Sequence, residues 1–318
     1  ETTDMTKTSH PYISTLDSVK AVAIIMIVVS HLGHWGLYFD NGAECGVAIF
    51  FTLSGFGLSL GYGAKVEKGW STLQFVWSRL KRFYPLHLVM LVLCSALFYG
   101  DEWRKLLAPI TANLLLLQSW RPLEGYQFSC NQVSWFLSDL MLMYFLFAPM
   151  YRWLVNCSLR AMGWRFALML IVYFAAIQLV PTESINEYIY VFPLLRIPNF
   201  AAGIVTYRLC LLLRQRLSTS AQHRVWRTDL FVIGAIVLTV GALLAYPYVS
   251  VRYGCSSLFW VPSMLLILAL YGNALRPDRL TRALSFAPLA WIGRHSFFIF
   301  MTHLYIIELA YKLLNPTQ

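Results

Sequence analysis

Nine ionisable residues stand inside or at the edges of long apolar runs: Lys20, His31, His34, Glu44, His87, Asp139, Arg196, His303 and Glu308. Such groups are costly in a bilayer, and they point into a protein interior or a functional path. Lys20 and His31 are eleven residues apart, about 16 Å of helix and about 20° beyond three whole turns, so both side chains share one face. That places a cation at a membrane mouth and a titratable ring deep beyond the middle of the bilayer. An imidazole there suits general-base chemistry on a hydroxyl. Taken singly, His31 is equally a packing histidine, and Lys20 a snorkelling cation.

Three further groups could carry chemistry. Arg79, Lys81 and Arg82 form a compact basic cluster just ahead of Pro85. It reads either as positive-inside anchoring or as phosphate binding by fork-shaped guanidiniums. Asp139 and Arg196 fall inside apolar runs; Asp139 is expected to pair with Arg196 or a histidine, or to sit near a frayed interface. His303 lies in the middle of the final run, as a packed or a functional ring. Nothing supplies Ser54 with a base, so it does not read as a covalent nucleophile, and the nearby Gly57-xxx-Gly61 spacing is a helix-packing signal.

The elements that must hold these residues follow from composition. Of 318 residues 58% are apolar and 13% charged, and mean hydropathy is +0.59, far from the balance of a soluble domain. Apolar runs near 19–39, 44–62, 83–100, 106–120, 133–155, 165–181, 191–213, 229–248, 256–272 and 289–314 predict an all-α polytopic bundle of about ten helices. The loops left over are too short for an appended soluble domain, so residues 1–318 read as a single transmembrane domain. Thr15 and Asp17 supply helix-start chemistry to the first run, which reads as an uncleaved span; Glu1–Asp4 ahead of Met5 could be foreign to the native start. The six cysteines are scattered without metal-like spacing, so neither a disulfide framework nor a metal site is expected.

The net charge of +10 would suggest nucleic acid in a soluble protein; here it reads as topogenic. Four connections hold most of the cations: Lys65, Lys68, Arg79, Lys81 and Arg82; Arg152, Arg160 and Arg165; Arg208, Arg214, Arg216, Arg224 and Arg227; and Arg276, Arg279 and Arg282. The connections with Asp40 and Glu44, and with Glu183 and Glu187, have none. Basic loops belong on the cytoplasmic side, which creates a parity problem if all ten runs cross. The run 106–120, short and interrupted by Pro109 and Asn113, would resolve it by being re-entrant, with the C-terminus outside. Nine crossings plus one re-entrant segment and ten crossings both stay open.

The ordered motifs resemble the membrane-bound acyltransferase 3 family. Lys20 and His31, preceded by Leu16-Asp17, are similar to its Arg/Lys-x10-His pattern, and Phe51, Ser54 and Gly55 to its Phe-x-x-Ser-Gly signature. Arg79-x-x-Arg82-x-x-Pro85 resembles its basic motif. Ser134 to Asp139 resembles its Trp-centred segment, with Asp where Glu is usual. Arg196 with Phe200 and Gly203, and Gly293 to Phe297 leading to His303, resemble later landmarks.

The resemblance implies an enzyme of the bacterial cytoplasmic membrane, N-terminus inside, that passes an acyl group from cytoplasmic acyl-CoA, by default acetyl-CoA, to a carbohydrate hydroxyl. It implies acyl-CoA, a carbohydrate acceptor and membrane lipid as partners, and no metal or nucleic acid; oligomeric state stays open. Lys20, Arg79 and Arg82 would hold the coenzyme's phosphates. His31 would act as base or as covalent acyl carrier. Asp139 and His303 would complete the catalytic group, and Arg196 and Ser54 would contact substrate, their individual roles undivided. A transporter or flippase for lipid-linked sugars or small anions is the rival reading, although no paired, Pro-interrupted repeat appears. A non-catalytic relative is a third.

Overall fold

A computed structural model describes residues 13–39, 41–99, 105–120, 125–219, 228–275 and 283–315. Its helices, in chain order, are α1 (Ser14–Ser30), α2 (Gly42–Glu67), α3 (Thr72–Tyr99), α4 (Leu107–Leu114), α5 (Trp135–Val155), α6 (Leu159–Gln178), α7 (Pro193–Thr219), α8 (Thr228–Ala245), the single turn α9 (Val251–Gly254), α10 (Trp260–Leu275), α11 (Ala287–Arg294) and α12 (Ser296–Leu314). Short 3-10 turns and one π turn at Asn186–Tyr190 fill the connections. No strand occurs among the described residues, so the chain is the all-α bundle its hydropathy predicts. Among the described residues six helical segments, at α2, α3, α5, α6, α8 and α12, are long and apolar enough to cross a membrane. Their outward faces carry exposed Val92, Ile171 and Val237, a surface suited to lipid rather than water.

Several boundaries differ from the apolar runs. The first helix stops at Ser30, nine residues before its run ends, because Gly33 opens a 3-10 turn that closes on Gly36 at φ 75°. His31 is therefore the residue that ends α1, not a mid-helix residue. Thr15 does not cap α1; it is buried, and only Asp17 stands in the first turn. α3 starts well ahead of its apolar run, because Ser71 and Gln74 form a reciprocal capping box: Ser71 N donates to Gln74 Oε1 at 3.3 Å and Gln74 N donates to Ser71 Oγ at 3.2 Å. Arg79, Lys81 and Arg82 thus ride on a helix that continues through Pro85, rather than in a loop. The final run is two helices, α11 and α12, divided at His295.

The tightest crossing, between α2 and α7, also differs from expectation. Gly57 and Gly61 face open space. It is Gly55 that lies against the Phe200 carbonyl and Gly203 that lies against Thr52 O, with the Phe56 nitrogen 2.6 Å from where a Gly203 Cβ would be. The helices touch backbone to backbone there, the close approach that paired small residues permit.

Contacts fix the directions of α3, α5 and α12. Lys20 and Arg79 mark one face of the bundle; His31 and Trp35 mark the other. Lys312 Nζ donates to Leu97 O at 2.8 Å, so α3 and α12 both end on the His31 face. α5 starts there, where Trp135 shares a cavity with His31, and ends on the opposite face, where Tyr151 Oη donates to Glu67 Oε1 at 3.3 Å. The chain between α3 and α5 therefore leaves and returns on the same face. Its helix α4 is eight residues, about 12 Å, less than half a hydrocarbon core. Among the described residues, Lys65, Lys68, Arg152, Arg160, Arg165, Arg208 and Arg214 fall toward the Lys20 face. Asp40, Arg224, Arg227, Arg276, Arg279, Arg282 and residues 1–12, with the side chain of Arg216, lie outside the described residues.

Candidate active site

Two cavities lie between α1, α2, α5 and α12. The first, about 590 Å³, opens near the Lys20 face and is lined by Lys20, Ser54, Arg79, Arg82 and Arg294 among apolar residues. Gly57 lines it as well; the missing side chain leaves it room. Lys20 Nζ donates to Asp17 Oδ1 at 2.8 Å one turn earlier, and the Arg79 guanidinium sits 5.1 Å over the Tyr62 ring. Four cationic side chains around one cavity, with apolar walls formed by Leu53, Leu58, Leu140 and Phe297, suit a ligand with an anionic head and a slender apolar arm.

The second cavity, about 180 Å³, is lined by His31, Glu44, Gln132, Trp135, Asn186 and Tyr190 with apolar neighbours. His31 Nδ1 lies 2.7 Å from Ile27 O. A carbonyl can only accept, so Nδ1 carries the proton and Nε2 presents a lone pair. His303 repeats the arrangement, with Nδ1 2.8 Å from Phe300 O and Nε2 buried without a hydrogen-bond partner among the described residues. The two rings meet edge to face, centroids 5.0 Å apart. The first and last long helices thus bring together two imidazoles with the same tautomer.

Asp139 and Arg196 take other positions. Both are fully buried and line neither cavity. Asp139 does not join either histidine, and no ion pair links it to Arg196 within 4.0 Å among the described residues. Its Oδ1 accepts from Ser119 Oγ at 2.8 Å. It is one member of a network that ties down the returning segment after α4. In that network Ser138 Oγ donates to Leu116 O at 2.7 Å, Gln118 Nε2 donates to Ser134 O at 2.8 Å, and Ser134 Oγ donates to Asn113 Oδ1 at 2.8 Å. Leu116 has φ 55°, and irregular backbone at this depth survives only when protein groups satisfy it. Arg196 lies in a cage of Phe51, Trp135 and Tyr190, its Cζ 4.7 Å from the Tyr190 centroid. Its Nε donates to Tyr190 O at 2.6 Å. It therefore holds two walls of the His31 cavity from behind.

Glu44 was visible in the sequence as an intramembrane acid, but its place beside His31 was not. Gln132, Asn186 and Tyr190 reach the same cavity from irregular connections, where no periodicity marks a facing side. Arg294 and Tyr144 line the larger cavity from positions equally open to a topogenic or a packing reading. Among the described residues, no group of three or more His, Cys, Asp or Glu could hold a metal ion.

The chain has relatives among known proteins. The chain is 28% identical over 302 residues to the acyltransferase MdmB of Streptomyces mycarofaciens, covering 88% of this chain and 72% of that one. It is 28% identical over 121 residues to the peptidoglycan O-acetyltransferase OatA of Listeria monocytogenes, covering 36% of this chain and 19% of the relative. Over 84 residues it is 36% identical to protein 2 in the picA locus of Rhizobium radiobacter, 26% of this chain and 44% of the other. No solved structure matches. The sequence model described as "Acyltransferase domain" matches residues 13–318, and the chain belongs to this membrane-bound acyltransferase 3 family.

Proposed function

We propose that the protein is an integral membrane O-acyltransferase that moves an acetyl group from cytoplasmic acetyl-CoA to a hydroxyl of a carbohydrate. The observation that carries this reading is the pairing of the two cavities: four cations around the larger one, and a histidine with a free Nε2 lone pair in the smaller one. Lys20, Arg79, Arg82 and Arg294 bind the coenzyme's phosphates, Ser54 lies along its arm, and the thioester reaches toward His31. His31 Nε2 takes the acceptor's hydroxyl proton as the oxygen attacks the thioester carbonyl. The C–S bond breaks, an ester C–O bond forms, and the proton passes to the departing thiolate. His303 fixes the position of the His31 ring. Arg196 and Asp139 act at one remove, through the cavity walls and the returning segment.

The smaller cavity combines an aromatic plane (Trp135), two amides (Gln132 and Asn186) and a carboxylate (Glu44), a set suited to sugar hydroxyls. The name of the peptidoglycan O-acetyltransferase relative supports both acetyl and an O-linked acceptor. The basic residues gathered toward the Lys20 face support placing it in the cytoplasm, with the N-terminus inside and the membrane a bacterial inner one.

The test is turnover of radiolabelled acetyl-CoA by the detergent-purified chain. His31→Ala is expected to bind the coenzyme as wild type does, to keep its melting temperature, and to lose transfer. A folded His31→Ala that transfers at the wild-type rate would refute the assignment. Mass spectrometry of surface glycans with and without the gene identifies the acceptor.

A further inference from the structure

Phe300 is the one residue that lines both cavities among the described residues. Its ring packs against Phe136 (centroids 5.2 Å) and Phe50 (6.4 Å), and those two face each other at 6.5 Å. All three spacings are those of aromatic rings in contact. Phe136 and Phe300 are buried and Phe50 is half-buried, so the three rings stand packed between the two cavities. A group passing directly from the Lys20 cavity to the His31 cavity meets Phe300, which lines both.

From this geometry we propose that Phe50, Phe136 and Phe300 form a partition that selects the acyl group by size. It admits a short chain to His31 and retains a longer one in the Lys20 cavity. The inference rests on the acyl-CoA reading above and adds the element that sets acyl specificity.

Two observations support size as the selected property. Beyond the partition the cavity is only about 180 Å³, and the acceptor hydroxyl must share that space. Before it, Leu53, Leu58, Leu140 and Phe297 line about 590 Å³, an apolar wall against which a longer chain can fold back. The partition is also tied to the imidazole pair. Phe300 lies one turn before His303 on α12, and its carbonyl accepts the His303 Nδ1 proton. A chain that keeps the ring displaced therefore pulls on the residue that holds His31.

The experiment compares acetyl-, butyryl- and octanoyl-CoA on the purified full chain, reading CoA release for kcat/KM and calorimetry for binding. Wild type is expected to prefer acetyl-CoA. Phe300→Ala and Phe300→Leu should lower the acetyl-to-octanoyl preference about tenfold or more, the scale on which apolar pockets discriminate chain length. Phe136→Leu carries the same expectation should both Phe300 variants fail to fold. If wild type turns over acetyl-CoA and folded variants keep its preference, the partition proposal is overturned while the acyl-CoA reading stands. If wild type neither binds nor turns over acetyl-CoA, both fall together.

Discussion

Two glycines on α2, two residues apart, should respond to the same substitution in opposite ways. An alanine at Gly55 drives its Cβ into the Phe200 carbonyl oxygen, with the Phe200 carbonyl carbon 3.1 Å away and the Gly203 Cα 3.3 Å away. Every obstacle is backbone, so no rotamer can relieve the clash and the helices must separate. The reciprocal site sets the scale. A Cβ on Gly203 would lie 2.6 Å from Phe56 N, about 0.8 Å inside ordinary contact, and a gap of that size forfeits a quarter to a half of the dispersion attraction across the interface. Overpacking of this kind costs about 1–3 kcal/mol. With the backbone fixed on both sides we take the upper end, a fall of roughly 4–5 °C in melting temperature, because about 2.1 cal/mol/K of unfolding entropy per residue is spread over 318 residues. Gly57→Ala, whose Cβ meets nothing within 4 Å, should leave the melting temperature unchanged. Thermal unfolding of both variants in one detergent reads the difference. Equal melting temperatures for the two variants would refute the backbone-contact argument.

Gly57→Leu, filling the Lys20 cavity from a site that tolerates a side chain, should fold and lose acetyl-CoA binding, as calorimetry would read. Arg82→Ala should raise the acetyl-CoA concentration needed for half-maximal rate about tenfold, with a smaller change at saturation. An unchanged requirement would return Arg82 to topogenic duty. Ser119→Ala leaves a buried carboxylate oxygen without its donor, which costs about 1–3 kcal/mol. Hydrogen exchange should show that loss first in residues 113–120, ahead of any change at α7 or α10.

Much of the bundle was legible because hydropathy reports burial in lipid directly. The elements whose lengths depend on caps and glycines were not. The apolar run through residue 39 cannot show that Gly33 and Gly36 end α1 at Ser30. The box at Ser71 and Gln74 was readable, but a basic cluster read as a loop concealed it. The parity of basic loops left two counts of crossings open, and the helix within the run at 106–120 is only eight residues long. For the candidate site, helical spacing put Lys20 and His31 on one face, and both line cavities that face α12. Spacing within one helix says nothing of contacts between helices. The His31–His303 pair, the Ser119–Asp139 bond and the cage around Arg196 each join segments distant in sequence.

The side-by-side placement of α1 and α12 has a consequence for biosynthesis. One imidazole is made at the end of α1, and its companion is made much later, on α12. Until α12 is inserted, the wall carrying Ser296, Phe297 and Phe300 is missing from the Lys20 cavity and His31 faces lipid or a neighbouring helix. A nascent or prematurely ended chain can therefore hold the cationic cluster without the ring that closes it. The larger cavity therefore gains its last wall only when α12 has packed against α1 and α3.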